Sequence, residues 1–393
     1  MRAVSGVSAG VTAADRPEPR AAAKPARRRP TASEPATSGF TADEIAQLHE
    51  RLLGWYERVK RDLPWRRTRD PYAIWISEVM LQQTRVETVK PYWARFLARF
   101  PTVQSLAGAP LDDVLAHWSG LGYYARGRKL HEAAQAIVAR HGGALPADAA
   151  ALAALPGFGP YTTAAVASIG LGLDEAAVDG NVARVLTRWL CREGDPREAK
   201  AMAFFRAVAQ ELLPAGSAGA WNQAMMELGA TLCGPRAQPA CLTCPVASLC
   251  RAHRAGRQGE LPPSRKAKAR PQLHLAAAYV VRGDELLLAR RPDAGLFASL
   301  WELPAVEGSA SDLARAVGAL LGAPATVREE LGTVQQTLTH RELTITVHAV
   351  DVQGGSPRAA APWVDARFTD PAAELPGGLS SATRKALRAA RSG

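Results

Sequence analysis

The hydrophobic pattern between Phe40 and about Cys250 is helical. Apolar residues recur mostly at the three- and four-residue spacing of helices that bury one face, and no convincing alternating strands occur. Asp70 followed by Pro71 predicts the start of a helix. An Asp side chain accepts hydrogen bonds from the amides of the first turn, and proline fits the first helical position because the amide there has no partner within the helix. The pattern predicts helices over 72–83, 111–118, 128–141, 147–154, 160–171, 179–191, 196–213 and 218–232. Region 41–250 is therefore predicted to be a compact all-helical domain.

The pattern changes after residue 270. Two β-like runs within 273–291 are separated by Arg282-Gly283-Asp284, which is a hairpin signal. Residues 342–352 alternate as another strand does, and residues 311–322 have the spacing of an amphipathic helix. We predict a separate α+β domain over 271–393.

The two remaining segments are polar and basic. Residues 1–40 contain almost no large apolar side chains and are predicted to be a disordered tail, and residues 251–270 are predicted to be a linker. The net charge of the chain is +11, with +4 in the tail and +6 in the linker. A basic chain favours a nucleic acid partner, and the linker is expected to add non-specific affinity. The two folded regions carry only +2 and −1, so charge alone does not show that a folded domain binds DNA.

Composition excludes several classes of protein. With 47% hydrophobic and 22% charged residues, the 393-residue chain is neither collagen-like nor wholly disordered. No run of about 18 apolar residues predicts a membrane span. The tail lacks the apolar core of a secretory signal, and its acidic residues count against the alternative of an Arg-rich transit peptide. We expect a cytoplasmic, nucleoid-associated protein without membrane contact, and by default a monomer.

Four of the five cysteines lie close together. Their pattern is C-x7-C-x2-C-x5-C, formed by Cys233, Cys241, Cys244 and Cys250. In a chain without a secretory signal, this pattern favours a metal site over disulfides. Structural zinc and an iron–sulfur cluster are both open, and the presence of only one C-x2-C pair favours iron–sulfur. Cys191, in a helical run, is expected to be a small buried residue.

Two glycines mark a turn between helical segments. Gly157 and Gly159 lie in LPGFGPYT, where glycine permits a positive φ and a close approach of another backbone. The amides that open the next helix would suit a phosphate group. An ordinary helix–helix turn is the alternative.

Two carboxylates are candidates for chemistry. Glu78 lies among apolar residues in YAIWISEVMLQQT, so desolvation is expected to raise its pKa. A general acid that works near neutral pH needs such a raised pKa. The alternative is that Glu78 lies on a solvated helix face. Asp179 and Asn181 follow an apolar run, and Asp179 is a helix N-cap, a catalytic carboxylate or both. Hydrolysis of an N-glycosidic bond needs such a pair, one to protonate the leaving base and one to stabilise the sugar cation. The amides of Gln82 and Gln83 suit contacts with bases or phosphates.

Five motifs in one order resemble a known family. They are ISEVMLQQT (76–84), GLGYYARGRKLH (120–131), LPGFGPYT (155–162), VDGNVARV (178–185) and the four-cysteine run. Their order resembles the helix-hairpin-helix DNA glycosylase superfamily, and within it the MutY adenine glycosylases, over about 45–250. LLLARRPDAGLFASLWELPAVEG (286–308) resembles the Nudix-like domain of the same family.

The resemblance implies a fold, an activity and a cofactor. The expected fold is multi-domain, with an all-α glycosylase domain over 41–250, a [4Fe–4S] module at 233–250, and an α+β Nudix-like domain over 271–393 that recognises 8-oxoguanine. The expected substrate is double-stranded DNA in which adenine is mispaired with 8-oxoguanine or guanine. The adenine is flipped into a pocket between a six-helix barrel module and the iron–sulfur module.

The resemblance also implies the role of each site residue. Glu78 corresponds to the acid that protonates adenine and Asp179 to the carboxylate that stabilises the sugar cation. Asn181 and Tyr161 correspond to residues that support that aspartate and the transition state. The expected DNA contacts are Gln82 and Gln83 at the bases, Tyr123 or Tyr124 as a wedge beside the oxidised guanine, Gly157 and Gly159 at phosphate, and Thr339 and His340 at the lesion. The four clustered cysteines correspond to the cluster ligands.

One residue discriminates within the superfamily, and two departures from the family pattern affect these expectations. Tyr161 stands where endonuclease III-like enzymes have a Schiff-base lysine, so we expect a glycosylase without strong strand cleavage. The first cysteine gap is seven residues, whereas the family usually has six. One extra residue adds little to the entropy cost of closing the loop, so the cluster is still expected. In the last domain, the acidic run of Nudix hydrolases is missing after Gly308, and Leu338-Thr339-His340 replaces Phe-Ser-His. Hydrogen bonding to the lesion is therefore expected to persist without the aromatic face.

Two other functions compete with the adenine glycosylase. An endonuclease III-like lyase for oxidised pyrimidines is disfavoured by Tyr161 and by the C-terminal domain. A non-catalytic iron–sulfur protein that binds DNA or senses redox state is disfavoured by the presence of both Glu78 and Asp179.

Overall fold

The computed structural model describes residues 37–235, 237–264, 269–370 and 378–392. Most of the predicted tail, and the linker residues 265–268, lie outside these ranges. Phe40, placed by the sequence in the tail, is buried in a helical core. None of the helices among the described residues is long and apolar enough to cross a membrane.

The first part of the described chain is helical, as predicted. Its helices are α1 (Ala42–Val59), α2 (Pro71–Leu81), α3 (Val86–Arg99), α4 (Val103–Ala107), α5 (Leu111–Trp118), α6 (Ala125–His141), α7 (Ala149–Ala153), α8 (Pro160–Ala165), α9 (Gly180–Trp189), α10 (Ala199–Glu211), α11 (Ala218–Thr231) and α12 (Arg251–Arg254). Each predicted helix is present, and α5 matches its predicted bounds at both ends. Helices α1, α3, α4 and α12 were not delimited from the sequence, and α3 contains Pro91, which is disfavoured inside a helix.

Helix α2 begins where the sequence predicts and ends earlier. The Asp70 carboxylate accepts hydrogen bonds from the amides of Tyr72 and Ala73, and Pro71 occupies the first position. The helix ends at Leu81 rather than at 83, and Gln83 has a φ of +57°. Gln82 and Gln83 therefore lie in a turn.

The predicted helix 160–171 is interrupted. Helix α8 ends at Ala165, and Val166–Gly170 forms a π turn. The side chain of Ser168 in this turn donates to Ala164 O at 2.7 Å and accepts from Asn222 Nδ2 at 2.8 Å. A Cβ on Gly219 would lie 2.7 Å from Ser168 O, so that only glycine allows α11 to approach the turn so closely.

The helices pack around two hydrophobic cores. One core includes Trp75, Phe96 and Trp118 and belongs mainly to α2–α7. The other includes Leu52 and Trp221 and joins α1 to α9, α10 and α11. The first helix thus packs with the later helices, and α2–α8 form the module between them in sequence.

The predicted linker begins later than residue 251. Arg251–Arg254 forms α12, and Ala252 and Leu261 are buried in the second helical core. The basic composition of 251–264 therefore conceals residues that pack with the helical part. Of the basic residues near the end of the predicted linker, Arg265, Lys266 and Lys268 lie outside the described residues, while Arg270 is 3.9 Å from Glu342.

The last part of the described chain is α+β, as predicted. Its strands are β1 (Gln272–Tyr279), β2 (Val281–Arg282), β3 (Glu285–Arg290), β4 (Trp301–Glu302), β5 (Ala305–Glu307), β6 (Ala325–Thr337), β7 (Glu342–Val352) and β8 (Asp365–Thr369), with helices α13 (Ala310–Leu321) and α14 (Ser381–Ser392). One sheet has the order β5-β1-β7-β6, in which β1 and β7 are parallel. The second has the order β2-β3-β4, and β8 pairs with β3. Strand β7 matches its predicted bounds, and the predicted hairpin joins β2 to β3.

The α+β part packs against the turn between α5 and α6. The Tyr124 hydroxyl donates to Leu379 O at 2.5 Å, and Arg128 Nη1 donates to Ala298 O at 2.7 Å. Arg290 and Asp112 form an ion pair at 3.0 Å. Leu300 is buried in the first helical core. These contacts place the loop between β6 and β7 beside the helical part.

Candidate functional site

One cleft gathers most of the residues predicted from the sequence. Its volume is about 830 Å³. The predicted residues that line it are Glu78, Gln82, Gln83, Gly157, Gly159, Tyr161, Asp179 and Asn181. They come from α2, the α7–α8 turn, α8 and α9, so the cleft lies between the two helical modules.

Glu78 is a buried carboxylic acid in this cleft. Only 6% of its surface is exposed. Desolvation raises its pKa to about 7, a hydrogen bond from Tyr161 acts in the opposite direction, and the charge of Asp179 raises it further. The Tyr161 hydroxyl donates to Glu78 Oε2 at 2.6 Å. The expected desolvation of Glu78 is confirmed, and near neutral pH the group exchanges a proton readily.

Tyr161 is the partner that Glu78 meets inside the cleft. Its hydroxyl oxygen also lies 3.2 Å from Met226 Sδ. Burial and the neighbouring carboxylates raise the pKa of Tyr161 well above its ordinary value. The phenol therefore remains a neutral hydrogen-bond donor at any physiological pH.

Asp179 occupies a different environment at the start of α9. Its Oδ1 accepts from the amide of Val182 at 2.7 Å, and its Oδ2 accepts from Asn181 Nδ2 at 2.8 Å. The N-cap interpretation is confirmed, and it leaves the carboxylate in the cleft. Arg184 Nη2 donates to Asn181 Oδ1 at 3.0 Å, which orients the amide toward Asp179. These two donors fix the orientation of the Asp179 carboxylate in the cleft.

A third carboxylate in the cleft was missed by sequence reasoning. Glu227 on α11 is 1% exposed and pairs with Arg61 at 2.6 Å and Arg66 at 2.8 Å. Burial alone would raise the pKa of Glu227, but hydrogen bonds from the two guanidinium groups hold it below its usual value. The signal was available, because Glu227 interrupts an apolar run, AMMELGA, just as Glu78 does.

The glycine turn has the shape expected for close approach. Gly157 has a φ of +78°, and a Cβ there would lie 2.9 Å from Lys129 Cβ. Gly159 is the N-cap of α8 and has an ordinary φ. Beside the turn, Gln82 Nε2 donates to Thr162 Oγ1 at 3.0 Å.

The remaining predicted DNA contacts lie outside this cleft. Tyr123 is 46% exposed, has a φ of +48°, and its hydroxyl lies 2.8 Å from Thr339 Oγ1. Thr339 and His340 are exposed in the turn between β6 and β7. The structure thus brings Tyr123 and Thr339, which are 216 residues apart in sequence, into contact.

The sequence left open whether Tyr123 or Tyr124 reaches DNA, and the structure corrects the choice of Tyr124. Its ring is 8% exposed, and its hydroxyl is engaged by Leu379 O. A side chain committed to the contact between the helical and α+β parts cannot also wedge into a duplex. Tyr123 is the exposed member of the pair.

The four clustered cysteines line one small cavity with Arg188. Arg188 Nη1 donates to Cys233 Sγ at 3.2 Å, and Arg184 Nε donates to Cys233 O at 2.9 Å. Burial raises the pKa of Cys244 to about 12 and that of Cys250 to about 11. Within the described ranges, no group of three or more His, Cys, Asp or Glu side chains is arranged to hold a metal ion. An all-sulfur donor set around one cavity nevertheless fits an iron–sulfur cluster or zinc.

Comparison with known proteins identifies relatives for both parts of the chain. Residues 76–211 match the model of the HhH-GPD superfamily of base excision DNA repair proteins, and residues 276–389 match the NUDIX domain. Adenine DNA glycosylase of Homo sapiens is 38% identical over 383 residues, which covers 81% of this chain and 69% of that protein. The Rattus norvegicus adenine DNA glycosylase is 38% identical over 373 residues, covering 80% and 72%. The structure of a thermostable thymine-DNA glycosylase, 29% identical, superposes with a TM-score of 0.50 over 54% of this chain and 98% of that chain.

The hydrogen bond between Tyr161 and Glu78 predicts the effect of removing one hydroxyl. In Tyr161→Phe, the pKa of Glu78 should rise further above about 7, because the lost donor stabilises the ionised carboxylate. Infrared spectra of the carboxyl stretch over about pH 5 to 9, with Glu78→Gln as the subtraction reference, measure this shift. The control is Tyr72→Phe, since Tyr72 is also a buried tyrosine but donates to Phe100 O instead. A pKa of Glu78 that is unchanged or lower in Tyr161→Phe contradicts the prediction.

Proposed function

Because the chain belongs to the adenine DNA glycosylase family, and is a base excision repair enzyme that hydrolyses the N-glycosidic bond of adenine, we propose that it acts on adenine mispaired with 8-oxoguanine or guanine in double-stranded DNA. The observation that carries the proposed mechanism is that the Glu78–Tyr161 pair and the Asp179–Asn181 pair line the same cleft. A cleft of about 830 Å³ has room for a nucleotide flipped out of the duplex.

Glu78 supplies the proton to the leaving adenine. Burial raises the pKa of Glu78 to about 7, so the carboxyl can hold this proton near neutral pH. The hydroxyl of Tyr161 holds the carboxyl in one orientation at 2.6 Å. Protonation turns the base into a neutral leaving group, and the bond to the sugar can then break.

Asp179 stabilises the sugar as positive charge develops on it. Asn181 and the Val182 amide fix its two oxygens, so the charge is in place before the bond breaks. The two carboxylates differ in role because one is desolvated and the other is held by hydrogen-bond donors. Glu227 lines the same cleft and is paired there with Arg61 and Arg66, so this side of the cleft is polar.

Strand cleavage is not part of the proposed reaction. Tyr161 lines the cleft at the position where the lyases of the superfamily carry an amine, and a phenol forms no Schiff base. Water adds to C1′ of the sugar cation and loses a proton, so the products are free adenine and an intact strand with an abasic site. We further propose that the protein is a monomer and acts on the nucleoid in the cytoplasm.

The Nudix-like part is proposed to recognise 8-oxoguanine through Thr339 and His340. Both are exposed next to Tyr123, the wedge candidate, and the hydroxyls of Tyr123 and Thr339 are 2.8 Å apart. This pair joins the helical part to the β6–β7 turn at the surface where the opposite strand would lie. Hydroxyl and imidazole groups suit the polar edge of an oxidised guanine.

Cys233, Cys241, Cys244 and Cys250 are proposed to hold a [4Fe–4S] cluster. Four thiolates are the ligand set of such clusters, and the cluster would tie the loop 233–250 together. The support from this chain is the shared cavity and the hydrogen bond from Arg188 to Cys233 Sγ, since donors to sulfur stabilise a thiolate ligand.

Activity on a defined duplex tests the proposed reaction. With adenine opposite 8-oxoguanine, the strand should break at adenine only after alkali. Glu78→Gln and Asp179→Asn should each slow excision by about 100- to 10,000-fold while DNA binding persists. Glu50→Gln, an exposed carboxylate on α1, is the matched control. Borohydride trapping of the wild-type enzyme at stoichiometric yield would overturn the absence of lyase chemistry, and near-normal rates in either variant would overturn that residue's role.

The lesion-recognition role is tested by preference between mispairs. Thr339→Val and His340→Ala should each reduce the preference for adenine opposite 8-oxoguanine over adenine opposite guanine, by about tenfold for a lost hydrogen bond to the base. Single-turnover rates on the two duplexes give this preference. Thr337→Val, an exposed threonine on β6, is the control and should leave it unchanged. The same preference in both test variants as in the wild type would remove the β6–β7 turn from the lesion site.

Metal analysis tests the cluster. The purified chain should contain about four iron atoms with the absorption of an iron–sulfur protein. Cys241→Ser should lose the iron, whereas Cys191→Ala should keep it, because Cys191 does not line the cysteine cavity. Stoichiometric zinc without iron would contradict the assignment.

A further inference from the structure

Arg126, near the start of α6, binds the end of a different helix. Its Nη1 lies 2.8 Å from Val79 O, 2.8 Å from Met80 O and 2.6 Å from Gln82 O. These carbonyl groups belong to the last turn of α2 and to the residue that follows it. The residue immediately before Val79 is Glu78.

The other terminal nitrogen of Arg126 joins two turns. Nη2 lies 3.1 Å from Thr84 Oγ1, in the turn after α2. It also lies 3.4 Å from Leu121 O and 3.3 Å from Gly122 O, in the turn between α5 and α6. The guanidinium carbon is 5.4 Å from the ring centroid of Tyr123 in that second turn.

The position of Arg126 is explained by α2 and not by its own helix. A cation in the first turn of a helix opposes the helix dipole, and α6 has no acidic residue there to offset it. At the C-terminal end of α2 the same cation is favourable, and it satisfies carbonyl groups that the helix leaves unpaired. Leu81 O accepts from the amide of Thr84 at 3.3 Å, and Arg126 takes the carbonyls on either side. Burial lowers the pKa of Arg126 to about 10, so it remains charged at neutral pH.

Each of the two turns contains a strained residue. Gln83 has a φ of +57° and Tyr123 a φ of +48°, a region that residues with a Cβ adopt rarely. Gln82 O and Gly122 O are the carbonyl oxygens of the peptides that immediately precede these residues, and both accept from Arg126. Such conformations persist where surrounding contacts hold them.

We propose that Arg126 is a positioning residue that holds the Gln83 turn and the Tyr123 turn as one unit at the end of the helix that carries Glu78. Its catalytic consequence rests on the proposed function, in which Tyr123 wedges beside the lesion and Gln82 and Gln83 contact the bases. The distance between Tyr123 and Glu78 is then held constant, because the Arg126 guanidinium contacts the backbone next to each of these residues.

Hydrogen exchange in the DNA-free full chain tests this coupling without reference to activity. The reporters are the amides of Thr84 and Leu121, which donate to Leu81 O at 3.3 Å and Trp118 O at 3.1 Å. Arg126→Lys keeps the charge but loses the planar fork that reaches both turns. Exchange at both reporters should become faster by about tenfold, as expected for the loss of a hydrogen bond to a charged group. Arg140→Lys, an exposed arginine on the same helix, should change neither.

Thr84→Val is a second variant that leaves the guanidinium in place. It removes a hydrogen-bond acceptor of Arg126 in the Gln83 turn. If Arg126 holds the two turns as one unit, hydrogen exchange at the Leu121 amide in the Tyr123 turn should also become faster. This variant decides the question if Arg126→Lys does not fold. Faster exchange at one reporter only, or at neither, overturns the proposal.

A double-mutant cycle tests the catalytic consequence. Arg126→Lys should lower the single-turnover excision rate by about tenfold, and should have a smaller effect in a Tyr123→Ala background, because the wedge it positions is absent. Additive effects overturn the coupling between Arg126 and Tyr123. If the chain excises no adenine at all, the proposed function fails, while hydrogen exchange still decides whether Arg126 joins the two turns.

Discussion

The burial of the Glu78 carboxyl is the constraint on which the site depends. Helix α2 is buried on almost every side, from Tyr72 to Met80, and a helix of this kind must lie in a core. A carboxyl on it loses water and needs a hydrogen-bond partner, which Tyr161 provides. Helix α8 must therefore begin beside α2, and the turn at Gly157, with its positive φ and its close approach to Lys129, leads the chain there.

The second carboxylate, Asp179, is placed by helix capping and not by burial in a core. Asp179 lies at a helix end, where amide and side-chain donors hold both of its oxygens. Arg184 connects Asn181 to the carbonyl of Cys233, so the loop with the clustered cysteines and the Asp179 carboxylate share one support. The cleft between the modules exists because α1 packs with α9–α11 while α2–α8 form the other core. Two carboxylates with different environments are thereby brought to one cleft.

The α+β part packs on the α5–α6 turn and the start of α6. The two adjacent tyrosines of that turn have separate functions. Tyr124 is buried against Leu379, while the left-handed backbone at Tyr123 directs its ring outward, toward Thr339. Arg126 follows directly and ties the same turn to α2. One short segment therefore links domain packing, the exposed ring of Tyr123 and the helix of Glu78.

The sequence by itself determined the features that depend on neighbours in the chain: the start of α2 at Asp70, the bounds of α5 and β7, and the N-cap at Asp179. It left open whether Glu78 is desolvated, and the packing around α2 decided that. Its ordered motifs also indicated the family that the relatives confirm. The structure alone decided between Tyr123 and Tyr124, paired Glu227 with Arg61 and Arg66, and placed Arg126 between two turns. Capping and apolar spacing act within a few residues, so they can be read locally. Which buried charges and strained turns meet depends on the packing of helices far apart in the chain, and no local pattern encodes that.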